Sequence, residues 1–222
     1  MKKRLVSFLL VLVMVLGMLP TVALAAEETP KSITTAEEFA DMDPTGSYIL
    51  KENITITAPY KSDDGDFTGH FNGNGKTITL KITSATKDNV GAFSTLGSGA
   101  IVENLTTDGT INVSSRSSVG SIAGWAYSSE TQNTVIRNCK NNAAITGKNN
   151  VGGIVGEITL ESDDFGVMLE GVANTGKIKG TSKVGGIIGS AEGKAQNLTN
   201  AYNWGEVSAS YSMGGICGRA VK

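Results

Sequence analysis

The stretch Val151-Gly-Gly-Ile-Val-Gly156, VGGIVG, decides how this chain is read, because it recurs. Val184-Gly-Gly-Ile and Met213-Gly-Gly-Ile repeat it, and Val119-Gly-Ser-Ile and Val90-Gly-Ala-Phe are degenerate copies; the five starts lie 29, 32, 33 and 29 residues apart. A second cassette sits between them: Asn104-Leu-Thr-Thr-Asp-Gly-Thr-Ile, Asn138-Cys-Lys-Asn-Asn-Ala-Ala-Ile, Gly171-Val-Ala-Asn-Thr-Gly-Lys-Ile and Asn200-Ala-Tyr-Asn-Trp-Gly-Glu-Val. The apolar positions of the whole repeat unit are fixed. Ile111, Ile145, Ile178 and Val207 form one set, Leu105, Cys139, Val172 and Ala201 a second, and Ile122, Ile154, Ile187 and Ile216 a third. Each unit shows short alternating segments and no 3.6-residue stripe, so it reads as strands. Segments this short cannot bury their apolar side alone, but stacking the equivalents from successive units makes continuous Ile and Val columns. The spacing predicts an all-β fold: a parallel β-solenoid of about five coils, each of about three short strands.

Glycine then has two mechanical readings, positive φ at the corners of a coil or close approach of neighbouring backbones. Asn104, Asn138 and Asn200, and separately Asn141, Asn174 and Asn203, are spaced to stack as amide ladders along the axis. The Asn-x-Ser/Thr triplets are therefore read as ladder residues rather than glycosylation acceptors. Cys139 and Cys217 fall in different cassettes about two coils apart, beyond disulfide reach, and are read as small buried hydrophobes. Length variation is concentrated on the path from one VGG start to the next second cassette. Residues 125–134, 157–167 and 190–199 are expected to project as neighbouring loops on one edge.

The N-terminus reads differently. Lys2, Lys3 and Arg4 precede an apolar run from Leu5 to Leu19, and Ala23-Leu24-Ala25 offers a small-x-small site, the pattern of a signal peptide cleaved near Ala25/Ala26. Residues 1–25 are thus assigned to export, 26–66 to an N-terminal capping segment and 67–222 to the β-helix. A secreted or cell-surface chain with no membrane span after cleavage is expected. Removing the three basic residues of the leader from 19 leaves 16 against 21 acidic ones, a net charge of −5. That balance argues against nucleic acid, whose binding needs clustered Lys and Arg. The single histidine, His70, argues against a His-based metal centre or a Ser-His nucleophile, and it is expected to be structural or exposed. The sequence shows no capping element before Lys222, so an edge open to self-association is expected.

The repeats resemble the GLUG motif family, whose core stands here as GGIVG, GGIIG and GGICG. Phe67-Thr-Gly-His-Phe-Asn-Gly-Asn-Gly-Lys-Thr-Ile is similar to the segment that often opens such β-helices in secreted bacterial proteins, and residues 32–58 resemble the helix and strand that precede it. The resemblance implies a right-handed parallel β-helix in a bacterial surface protein, adhesin-like or a non-catalytic part of a larger secreted one, and carries no catalytic residue. Two departures stand out: Thr95 in place of the last Gly of the first cassette, and Gly171 in place of a ladder Asn, which should weaken one rung.

Candidate chemistry is sparse. GNGK at 73–76 and the VGGIVG cassettes lack the spacing of phosphate-binding loops. Asp63, Asp64 and Asp66, and Glu161, Asp163 and Asp164, are the acidic clusters that a glycoside hydrolase or a Ca²⁺ loop would draw on, but neither has calcium-loop spacing and both read as solvated loop charge. Trp125 and Tyr127, with Glu130 beyond them, begin one variable loop, while Tyr202 and Trp204 flank the last ladder Asn; exposed aromatics stack on sugars or anchor protein partners. The sequence therefore points to a non-enzymatic recognition or adhesion module without cofactor or metal. Its binding residues would be Trp125, Tyr127, Glu130, Glu161, Asp163, Asp164 and Trp204, and its partner an extracellular glycan or a host or cell-surface protein. A carbohydrate-active β-helix enzyme and a structural spacer are the alternatives.

Overall fold

The structure, a computed structural model, describes residues 29–60, 66–129, 131–160, 164–193 and 197–221. It is a parallel β-solenoid of about five coils. A lead-in holds β1 (Lys31–Ile33), α1 (Ala36–Ala40), β2 (Ser47–Leu50) and β3 (Ile54–Ile56). The first coil is β4 (His70–Asn72), β5 (Thr77–Ile82) and β6 (Phe93–Leu96), and the second is β7 (Ile101–Glu103), β8 (Thr106–Asn112) and β9 (Ala123–Ser128). The third is β10 (Thr134–Arg137), β11 (Lys140–Asn141), β12 (Ala144–Thr146), β13 (Asn149–Gly152) and β14 (Val155–Leu160). The fourth is β15 (Val167–Glu170), β16 (Ala173–Asn174), β17 (Ile178–Lys179), β18 (Ser182–Gly185) and β19 (Ile188–Glu192). The fifth is β20 (Asn197–Thr199), β21 (Tyr202–Asn203), β22 (Val207–Ser208), β23 (Met213–Gly214) and β24 (Cys217–Val221). All the strand pairings described are parallel and join equivalent segments of adjacent coils, as in β7–β10–β15–β20 and β6–β9–β14–β19–β24.

Three strands per coil therefore hold only for the first two coils; the later three have five. One extra strand arises at the cassette valine, which forms only an isolated bridge at Val90 and Val119 but a strand in β13, β18 and β23; the other is due to the second-cassette asparagine. Asn141 folds its amide back on the chain, accepting from Ala143 N at 2.9 Å and donating to Ala143 O at 3.0 Å. That bend splits the segment into β11 and β12. The second coil has Thr107 at this rung, and β8 runs on through it.

The apolar columns stack in register. Ile82, Ile111, Ile145, Ile178 and Val207 pair in sequence, and the four isoleucines are fully buried. At roughly 1.5–3 kcal/mol per buried aliphatic side chain, each column is a major source of stability. The lead-in continues the same sheets, since β2 pairs with β4 and β3 with β5. α1 begins with a capping box between Thr35 and Glu38, which satisfies otherwise orphaned amides. The helix delivers Phe39, 1% exposed, onto Phe71, Phe93 and Tyr60 at ring distances of 5.5, 5.4 and 6.0 Å. This aromatic plug closes the N-terminal end of the column.

The glycines of the cassette resolve in favour of close approach. A Cβ on Gly156 would lie 2.3 Å from Val119 N, and one on Gly189 2.3 Å from Asn150 C; both neighbours are backbone of the preceding coil. Positive φ belongs mostly to other residues. Asn89, Ser118, Asn150 and Lys183, each just before a cassette valine, have φ between 52° and 62°, and so form a corner column that Ser118 and Lys183 hide from sequence reading.

The first cassette is one residue shorter than it looks. Phe93 pairs with Ala123 and Thr95 with Trp125, so Ser94, not Thr95, stands at the rung of the last glycine. Later glycines there meet the corner of the coil before, whereas Ser94 borders a cleft of about 480 Å³ lined by Ala58, Pro59, Ser84 to Val90 and Thr95.

Candidate functional site

Trp125 and Tyr127 do not begin a loop. They lie in β9 on the outward side of a parallel sheet, half-buried, with ring centroids 5.0 Å apart. The Trp125 indole N–H donates to Thr159 Oγ1 on the next coil, and the Tyr127 hydroxyl donates to Asp66 Oδ2 at 3.0 Å. Both rings are thus tied across the stack. Residues 157–160 likewise belong to β14, because their backbone pairs with both β9 and β19. Glu157 accepts from Ser118 Oγ at 2.5 Å and Asn150 Nδ2 at 2.9 Å, which fastens two left-handed corners to the sheet.

The loops proper are shorter than expected and start after Leu96, Ser128, Leu160 and Glu192, the ends of four adjacent strands. They are neighbours, as the length pattern implied. Ser129 Oγ donates to Ser98 Oγ at 2.9 Å, Ser98 Oγ to Gln132 O at 3.0 Å, Gly166 N to Asn133 Oδ1 at 2.8 Å, and Ser128 Oγ to Phe165 O at 3.0 Å. Asp164 is exposed at this edge. Glu130, Glu161 and Asp163, with Asp63 and Asp64, lie outside the described residues. Trp204 belongs elsewhere: it follows β21 on a different sheet, stacked on Tyr202 at 5.5 Å and 11°. The four of the seven expected binding residues that are described, Trp125, Tyr127, Asp164 and Trp204, therefore do not form one surface.

His70 has a structural partner. Its Nε2 lies 2.9 Å from Glu103 Oε1, which also accepts from Asn72 Nδ2 at 3.0 Å, while Arg137 pairs with Glu103 Oε2 at 2.7 Å. Glu103 is buried. Burial pushes its carboxyl pKa up, but the bonds from Arg137 and His70 outweigh that and hold it below its usual 4.5. The cluster clamps three successive coils, β4, β7 and β10. Among the described residues, no group of three or more His, Cys, Asp or Glu could hold a metal ion, and no helix is long and apolar enough to cross a membrane.

Both cysteines are free. Cys139 is buried, and that burial pushes its thiol up to about 12. Cys217 is only half-buried, unlike the sequence expectation, because it lies in the last described coil.

No protein-family profile matches the chain. A stretch of 101 residues, 45% of the chain, is 37% identical to halomucin of Haloquadratum walsbyi (strain DSM 16790 / HBSQ001); this chain spans about 1% of that protein's length. The fold is similar to the crystal structure of a "putative immunoglobulin A1 protease" from Bacteroides ovatus, with a TM-score of 0.57 and 20% identity, covering 86% of this chain and 71% of that one.

Proposed function

We propose that this chain is a secreted or cell-surface module that recognises an extracellular glycan or protein without catalysing a reaction, and that its repeats are of the GLUG type. The observation that carries the reading is the loop edge: the described residues after Leu96, Ser128 and Leu160 are hydrogen-bonded from loop to loop, at the ends of adjacent strands beside the Trp125–Tyr127 pair. Rigid coils that present clustered loops suit recognition, since the contact surface is ordered before the partner arrives. Three carboxylates of the described faces are engaged structurally, Glu103 by Arg137, Glu157 by Ser118 and Asp66 by Tyr127, which favours binding over hydrolysis. The likeness to part of halomucin supports a surface location, and the Lys2 to Ala25 pattern supports export.

A glycan array and a pull-down from extracellular host protein, run with wild type, Trp125→Ala and a chain with residues 129–133 shortened, test the reading. A partner captured by wild type and lost from the shortened chain is expected. Binding that neither variant alters overturns the loop edge as the contact surface.

A further inference from the structure

Apart from the loop edge, three aromatic rings of the described surface are strongly exposed, Tyr202, Trp204 and Tyr211, and the first two form a pair. Tyr202 and Trp204 are 52% and 69% exposed, and their rings are stacked. Their column faces solvent in interior coils too. Lys140, Ala173 and Tyr202 share one line of register, and the adjacent line carries Asn142 and Thr175, both exposed, with Thr175 Oγ1 donating to Asn142 Oδ1 at 2.7 Å. On the other side Lys177 pairs with Glu206 at 2.8 Å, and Lys179 follows, exposed, opposite Ser208.

Three lysines (Lys140, Lys177, Lys179) against one carboxylate (Glu206) leave this face two charges positive, on a chain whose overall charge is −2. The nearest further acid on the face, Asp108, stands on the rung beyond Asn142, about 14 Å from Trp204 at about 4.8 Å per coil. The rings stand on an open strip edged by hydroxyl, amide and ammonium groups. Protein hot spots favour walled, desolvated pockets, whereas a sugar ring offers an apolar C–H face to an aromatic plane and hydroxyls to its edges. The positive excess selects among sugars for those that carry carboxylates.

We infer that this face binds an acidic glycan, with a uronic-acid ring stacked on Trp204 and Tyr202 and its carboxylate drawn to Lys140 and Lys179. The inference rests on the reading of the chain as an extracellular recognition module, and it names a ligand class and a second surface for it.

The test is binding of the full chain to polygalacturonate and to its fully methyl-esterified form, which keeps the rings and removes the charge, measured by calorimetry and tryptophan fluorescence. Wild type should bind the acid form more tightly, and added salt should weaken that binding. Trp204→Ala should weaken it by about tenfold or more with an unchanged melting temperature, because the side chain is exposed. Lys140→Ala with Lys179→Ala should erase the preference for acid over ester. Equal affinity for acid and ester, or undiminished binding by Trp204→Ala, overturns the inference. Failure of wild type to bind either polymer overturns it as well, while a partner lost only on shortening residues 129–133 would leave the loop-edge reading standing.

Discussion

Two columns of asparagine run along this solenoid, alike in sequence and different in what they do. The inner one, Asn141, Asn174 and Asn203, is a ladder of side chains. Asn141 Nδ2 donates to Asn174 Oδ1 and Asn174 Nδ2 to Asn203 Oδ1, both at 2.7 Å, and Thr107 Oγ1 donates to Asn141 Oδ1 at 3.1 Å. Asn141 and Asn174 are fully buried, and each also bonds both backbone groups two residues on. The outer column, Asn104, Asn138, Gly171 and Asn200, shares a backbone conformation instead, with φ of 53°, 52°, 62° and 52°. It keeps amide contacts only in part, at 3.3 Å from Asn104 to Asn72 and from Asn138 to Asn104. Asparagine is suited to both tasks, because it tolerates the left-handed region and its amide both donates and accepts. Gly171 is consequently no defect at its corner; it loses a weak rung and keeps the required φ.

The contrast between side-chain and backbone roles extends to the glycines, where the largest effect is expected. Gly189→Ala would drive a Cβ into Asn150 and Val151 backbone at 2.3 and 2.4 Å, and should cost more than about 4 kcal/mol in urea denaturation or prevent folding. Gly75→Ala, at φ +70° with open space around it, should cost only about 1 kcal/mol. Similar losses at the two would erase the distinction between close approach and backbone conformation.

The Glu103 clamp comes next. A carboxyl held below its usual pKa contributes stability that is fully present above about pH 4.5 and is lost as pH falls through the lowered folded value. Glu103→Gln should therefore destabilise the chain by about 1–2 kcal/mol at pH 7 and flatten the acid limb of the stability curve. An acid limb unchanged in the variant would remove Glu103 from the account. A smaller effect should come from Asn138→Ala, about 1 kcal/mol or less, because alanine lacks asparagine's ease in the left-handed region and its amide contact to Asn104, read from the melting temperature.

The repeat made the coils legible because a column of identical apolar residues at one place per unit has a single way to bury itself. Ile111, Ile145 and Ile178 stack where their spacing put them. What stayed hidden depends on local register and on contacts between units. The shortened first cassette shifts Ser94 to the glycine rung, although alignment by eye selects Thr95. The corner residues Ser118 and Lys183 carry no compositional mark of positive φ. Trp125 looked like a loop residue because repetition of identity stops near it, yet the backbone pairing continues to Ser128. Pairing in a sheet needs extended backbone and not a repeated side chain, so the end of a motif is a poor guide to the end of a strand. For the same reason the aromatic residues, alike in the sequence, separate into a tied pair on β9 and an exposed pair at β21.

The most direct test places glycine in each asparagine column and measures unfolding free energies of Asn174→Gly and Asn138→Gly under identical conditions. At Asn138 glycine keeps the left-handed corner and should change stability by less than about 0.5 kcal/mol. At Asn174 it removes an amide whose partners Asn141, Asn203 and Gly176 are left with unmet bonds in the interior, and the loss should be about 3 kcal/mol. Equal losses in the two variants would contradict the division of the columns into one held by side chains and one held by backbone.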